Sequence, residues 1–236
     1  MAKTFDGLTQ YSETDVALLT APPFSVSTWF YCTTTVLENA IFWLGDKDVT
    51  NSYYALSIGS APSDSLGALQ RDSGGISSAD ATVDITTDTW QNGIGIFTSD
   101  SSRTVYLDGA NNATNTDSKT AISEDRTAIG RNADSTPGAN FSGNLAEIGV
   151  WNRELTAGEI AALAKGFSPL FFLKGLVMYR PFIRSDLDVA KNFAMIETGS
   201  PGVADHLKMI YPDKYNLAPF AAAASTVRTL AALGVG

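Results

Sequence analysis

Two residue types are nearly missing from this 236-residue chain, which has one cysteine, Cys32, and one histidine, His206. A single cysteine excludes an intrachain disulfide, and a chain without one fits folding in a reducing compartment. The lone His206 stands beside Asp205 with no serine or cysteine nucleophile partner evident in the sequence. Charge is scarce too: 17% of residues are Asp, Glu, Lys or Arg, and the balance leaves a net charge of -9. With no basic stripe, binding to a phosphate backbone is excluded, and anionic lipid surfaces would repel the chain. No nucleic-acid partner and no membrane partner are therefore expected. The most apolar segment, Phe220 to Gly236, is too short to span a bilayer and contains Arg228. The start, Met1-Ala2-Lys3-Thr4-Phe5-Asp6-Gly7, lacks an apolar core of the secretory kind, so no signal peptide is expected. Without export, the sequons at Asn112 and Asn140 read as chance matches.

What the chain does have is a series of short apolar runs divided by Gly, Asn, Asp, Ser and Pro clusters. Phe24-Ser25-Val26-Ser27-Thr28-Trp29-Phe30-Tyr31 alternates with the period of a strand and carries its β-branched and aromatic enrichment. Ala40 to Leu44, Tyr53 to Ile58, Gly93 to Phe97 and Thr104 to Leu107 read the same way, the last ending in the tight-turn signal Asp108-Gly109. Turns roughly every ten residues point to a β-sandwich. One segment departs from this rhythm. In Phe141 to Gly166, a strand beginning near Gly143 and ending at Trp151 leads into Leu155-Thr156-Ala157-Gly158-Glu159-Ile160. Thr156 fits the N-cap, Glu159 the capping-box partner, Leu155 and Ile160 the hydrophobic staple, and Gly166 the stop. The spacing predicts one short helix near 156–165 in an otherwise all-β chain.

These residues resemble the laminin G-like, concanavalin A-like jelly-roll family, in the form found on phage particles. The resemblance rests on Phe5-Asp6-Gly7 with Tyr11, Phe24 to Trp29, Trp90, Arg103 to Gly109, Ile129-Gly130-Arg131-Asn132 and Phe141 to Leu163, all in the family's order. It implies two antiparallel sheets packed face to face. Gly175-Leu176-Val177-Met178-Tyr179-Arg180-Pro181-Phe182 resembles the strand that ordinarily precedes Phe-Asp-Gly, yet here it comes late. A circularly permuted sandwich over 1–212 is expected, with strand 176–182 completing it near Phe5. An alanine-rich apolar arm, 213–236, follows, and its Phe220, Val227, Leu230 and Leu233 are the expected partner-docking residues.

The chemistry expected of the chain is binding rather than catalysis. A glucanase of this family carries Glu-x-Asp-x-Glu on one strand, where this chain has Ala146-Glu147-Ile148-Gly149-Val150. Glu124 and Asp125 are adjacent and would face opposite ways on a strand. Cys32 reads as a small buried hydrophobe. No catalytic residue and no cofactor are assigned. The one metal candidate is a calcium ion at Asp46, Asp48 and Asn51, beside the reading of those residues as turn formers; Asp108, Asn111 and Asn112 offer a similar loop. Trp29 and Trp151 are expected to face the core, with Trp43 and Trp90 near loop edges. Two functions follow. The first is a structural protein of a bacteriophage virion, such as a capsid decoration, head fibre or tail knob, made in the host cytoplasm, joined to other virion proteins by its C-terminal region and self-associated. The alternative is a lectin module that binds host-surface glycans, with or without calcium.

Overall fold

The computed structural model describes residues 2–35, 39–59, 64–120, 123–182 and 188–213. Phe220, Val227, Leu230 and Leu233 lie outside the described residues. The strands are β1 (Ala2–Asp6), β2 (Tyr11–Thr14), β3 (Phe24–Cys32), β4 (Asn39–Gly45), β5 (Tyr53–Ile58), β6 (Leu66–Asp72) and β7 (Gly75–Asp80). They continue as β8 (Gln91–Ser99), β9 (Ser102–Leu107), β10 (Ala110–Asn115), β11 (Arg126–Ile129) and β12 (Ser142–Trp151). The helix α1 (Ala157–Leu163) and a single 3-10 turn, Pro169–Phe171, precede β13 (Leu176–Arg180), β14 (Ile196–Thr198) and β15 (Gly202–Ala204).

Two antiparallel sheets form a sandwich. Sheet A runs β10-β9-β8-β3-β12-β1-β15, with β13 also paired to β12; sheet B runs β14-β2-β11-β4-β5-β6-β7. Period-two alternation decides which side chains meet between them. From β3, Phe24, Val26, Phe30 and Cys32 point inward to join Ile41, Phe42, Leu44, Tyr54, Leu56, Phe97, Val105, Leu145 and Ile148. Phe24 stacks on Phe97 at 4.6 Å, and Tyr54 meets both rings edge-on at 5.2 and 5.4 Å. That parity turns Trp29 and Tyr31 outward. Trp29 is half-buried on the outer face, contrary to the core position expected from its aromatic character. Trp43 departs in the opposite sense: it is fully buried on the outer face of sheet B with Tyr53, Ala55, Leu69, Ala128 and Ala133.

β12 is the spine of sheet A. Its first half pairs with β1 (Phe5 opposite Gly143) and its second half with β13 (Gly149 opposite Tyr179), so β1 and β13 lie end to end along one side. Between the two halves the register against β3 slips, from Ala146–Trp29 to Gly149–Ser27. This bulge carries Glu147 at φ 58°, a left-handed conformation that a non-glycine residue adopts at some cost.

The helix expected near 156–165 spans Ala157–Leu163. Thr156 caps it, and the reciprocal capping-box bonds to Glu159 are both made. Gly166, at φ 85°, turns the chain away while the Phe167 N–H donates to the Ala162 carbonyl at 3.1 Å. At seven residues the helix is too short to stand alone. Ile160 and Leu163 hold it over sheet A, on Trp151, Leu155, Leu176 and Ile96. Trp151 is thus buried, but beneath the helix rather than between the sheets, and its Nε1 donates to the Phe172 carbonyl at 2.7 Å. Among the described residues no helix is long and apolar enough to cross a membrane.

Candidate functional site

The part of the outer face of sheet A away from α1 carries a row of side chains set by strand register. Asn144 lies opposite Tyr31 on one side and Thr4 on the other, and Thr4 faces Gly202. Gln91 pairs with Phe30, so Trp90, one residue earlier, falls beside Tyr31. The result is an ordered track, Trp90, Tyr31, Asn144, Thr4, with each member half-buried. The Tyr31 and Trp90 rings are 5.9 Å apart and tilted by 60°. Thr4 donates its hydroxyl to the Asn144 amide oxygen at 2.8 Å. Trp29 stands in the next row, opposite Ala146 and Asn92.

The segment before Trp90 is fixed at several points. The Asp88 N–H donates to the Cys32 carbonyl at 2.9 Å, and the Thr86 N–H donates to Gln91 Oε1 at 2.9 Å. Asp88 accepts from the Tyr31 hydroxyl at 3.3 Å. Desolvation, and then the Asp88 charge, push the Tyr31 phenol above its ordinary range, so it stays a neutral donor. Thr86, Thr87 and Thr89 are exposed along this rim. Flat rings beside hydroxyl and amide groups can stack on the C–H face of a pyranose and hydrogen-bond its hydroxyls. The nearby Asp88 makes a poor host for anionic sugars.

The acidic loop is built differently. Asp46 and Asp48 follow β4, and they are joined by Asp125, just before β11; one carboxylate oxygen of each lies within 4.8 Å of the others. Lys47 sits among them, its ammonium bonded to Asp125 Oδ2 and 3.4 Å from Asp48 Oδ2. The Asp125 carboxyl is lowered: burial raises it, and the bonds from the Lys47 ammonium and N–H outweigh that. Asp46 accepts the Asp48 N–H at 2.8 Å, as a turn former does. Calcium requires roughly six to eight converging oxygens. Here the Lys47 ammonium already takes the oxygens of Asp48 and Asp125 that a cation would need, so this donor set does not fit that ion as it stands. Asp125 is the member that sequence reading missed, because 77 residues separate it from Asp48 (125 minus 48).

On the outer face of sheet B, charges are matched in pairs. Arg131 bonds Glu13 at 2.5 Å and stacks 3.6 Å over the Tyr11 ring, while Arg126 bonds Asp15 at 2.7 Å. The cleft there is lined by Glu13, Asp15, Val16, Arg126 and Ile196. Neither arginine is left free for an anionic ligand.

The strand where a glucanase would carry its acids offers one, Glu147, and that residue is 1% exposed. Its Oε2 accepts from Tyr179 at 2.6 Å, its Oε1 from Tyr211 at 2.7 Å, and His206 Nε2 lies 3.1 Å from Oε1. A carboxylate held in this way is a structural hub, closed to substrate. Glu147 and His206 are far apart in the sequence, and only tertiary structure brings them together.

The matched family model is described as the concanavalin A-like lectin/glucanases superfamily and covers residues 6–161. No match is found among curated protein sequences. Among solved structures, domain 4 of the extracellular GH43 arabinanase AbnA from Geobacillus stearothermophilus, in complex with arabinotriose, has a TM-score of 0.57 at 20% identity. The match covers 69% of this chain and 76% of that one. A heptameric SAP-like pentraxin from Limulus polyphemus gives 0.58 at 15% identity, over 83% and 93%. The CBM40 of the Ruminococcus gnavus IT-sialidase, bound to α2,3-sialyllactose, gives 0.56 at 12%, over 70% and 98%. The order of strands, the capped helix that follows β12 and the family match agree, and this chain belongs to the concanavalin A-like lectin/glucanases superfamily.

Proposed function

We propose that this chain is a non-enzymatic carbohydrate-binding domain that lays a neutral glycan along Trp90, Tyr31, Asn144 and Thr4 on the outer face of sheet A. The observation that carries the reading is the register that puts two aromatic rings, an amide and a hydroxyl in one row. Two structures of like fold, the arabinanase domain and the CBM40, were solved with sugars bound, which supports carbohydrate as the ligand class. The test is a glycan array with and without calcium, followed by calorimetry on the best neutral glycan. Tyr31→Ala and Trp90→Ala each weaken binding by about tenfold or more. Ile196→Ala, on the far sheet and 73% exposed, leaves it unchanged. Unaltered affinity in the Tyr31→Ala/Trp90→Ala double variant refutes the site, and silence across the array refutes the function.

A second reading places the same domain on a bacteriophage particle, as a self-associated knob joined to other virion proteins. Its support is the segment Val203 to Pro212, which resembles the endings of phage-encoded relatives with this layout, together with the exposed apolar side chains of Phe171, Leu173, Val189, Ile196, Val203 and Ile210. Copurification with particles in fixed stoichiometry tests it, and absence from purified particles ends it.

A further inference from the structure

After β15 the chain crosses the outer side of sheet A to reach the turn beyond α1. There the Ile210 N–H donates to the Gly166 carbonyl at 2.8 Å, and the Ser168 N–H donates to the Ile210 carbonyl at 2.9 Å. Beneath this crossing lies the Glu147 hub. We propose that residues 205–211 form a proton-gated clasp, closed while His206 is an imidazolium held against Glu147 and loosened when that proton leaves.

His206 Nδ1 lies 2.6 Å from the Leu207 carbonyl oxygen, and Nε2 lies 3.1 Å from Glu147 Oε1. The Nε2 contact is off the hydrogen-bond line, so its attraction is electrostatic. Both ring nitrogens therefore face oxygens that can only accept. A neutral imidazole has one N–H, which Nδ1 keeps for the Leu207 carbonyl, so deprotonation leaves Nε2 and the Glu147 carboxylate in contact without the charge that drew them together. The His206 side chain is 10% exposed and that of Glu147 1%, leaving little water to relieve the mismatch.

The groups that face the hub are few in kind. Tyr179 comes from β13, with its phenol oxygen accepting from the Ser168 hydroxyl at 3.0 Å; Tyr211 comes from the clasp. Burial first, and the Glu147 charge second, raise both tyrosines, so they remain protonated donors through the physiological range. Asp205 and Lys208 flank His206 on the clasp and are exposed. Histidine is the side-chain type whose charge ordinarily changes nearest neutral pH. Glu147 holds a left-handed φ of 58°, and such strain concentrates at switch positions.

The sign follows directly. An imidazolium is drawn to the Glu147 carboxylate and a neutral ring is not, so the clasp is tighter at pH 6 than at pH 8. The test is hydrogen exchange of amides 203–213 in the full chain at pH 6 and pH 8, corrected for intrinsic rates. In the wild type, protection of this segment falls on the order of tenfold, while β3 keeps its protection. His206 is the only histidine, so His206→Gln abolishes the pH dependence. Glu147→Gln does the same where it folds, and His206→Gln decides the matter alone where it does not. Protection that is independent of pH in the wild type, or still pH-dependent in His206→Gln, overturns the clasp. The outcome is independent of whether a glycan binds at Trp90.

Discussion

Replacing Glu159 by glutamine tests how the short helix is held. The Glu159 carboxylate receives both terminal nitrogens of Arg153, at 2.8 and 2.7 Å, and the Thr156 N–H at 2.8 Å. Arg153 in turn donates from Nε to the Lys174 carbonyl at 2.7 Å, tying the helix start to the approach to β13. Glutamine keeps the size and can still close a capping box, so the substitution isolates the charge. The Arg153 bonds, working against burial and helped by the Thr156 N–H, hold the Glu159 carboxyl at about 2, against 4.5 ordinarily. Full conversion of that depression gives about 3 kcal/mol. Both side chains retain about a fifth of their exposure, and solvent screening reduces the figure to about 1–2 kcal/mol. Because the folded value is depressed, this stability is present above pH 4.5 and is lost as pH falls toward 2. For a sandwich of this size the variant melts about 3–6 °C below the wild type at pH 7. Urea melts at pH 7, 4.5 and 3 follow the gap, which shrinks to less than about half by pH 3. A gap that stays constant from pH 7 to pH 3, or is absent at pH 7, would falsify the assignment to this ion pair.

Two further outcomes are expected. Gly143 sits at φ 142°, and a Cβ there would lie 2.1 Å from the Tyr31 carbonyl oxygen across the β12–β3 pairing. Gly143→Ala therefore costs about 3–5 kcal/mol in a thermal melt, whereas Gly158→Ala, with open space around it, stabilises by about 0.5–1 kcal/mol; equal melts would show that backbone clearance is not what Gly143 provides. Millimolar calcium moves the wild-type melting temperature by less than about 1 °C, because the Lys47 ammonium already occupies oxygens of Asp48 and Asp125. Lys47→Met, which frees three converging carboxylates, gains about 2–4 °C with calcium, and a large rise in the wild type would contradict the role given to the ammonium.

Features encoded within a few residues were readable in advance. The start and stop of α1 are written in Thr156, Glu159 and Gly166, because caps depend on neighbours within one turn. The strands rich in aromatics were equally plain, and the same alternation that turns Phe24, Val26 and Phe30 inward already implied an outward Trp29. Hydrophobicity alone suggested otherwise, and the period was the better guide. β6 and β7 carry Gln70, Arg71, Ser77 and Ser78 and show little apolar rhythm, so pairing with β5 rather than composition defines them. β14 and β15 are three residues each, too short for any pattern. The track at Tyr31 and the hub at Glu147 are each assembled from four separate stretches of chain. Only register and tertiary docking bring those residues together.

The spine role of β12 also bears on the order in which the molecule can be made. Leu145 pairs with Lys3 on one side and Phe30 on the other, so the first and third strands share a neighbour more than a hundred residues downstream. During synthesis at roughly 5–20 residues per second, β1 leaves the ribosome on the order of ten seconds before its partner exists. The nascent chain thus holds an unpaired strand until β12 emerges, in the interval when a stray edge would find another chain. β1 is five residues long and carries Lys3 and Asp6, a length and charge suited to waiting. Sheet B meets no such delay along β4 to β7, where each strand pairs with the one made just before it. The half of the sandwich made of hairpins can therefore form first, as the surface on which the late spine and the early strand finally meet.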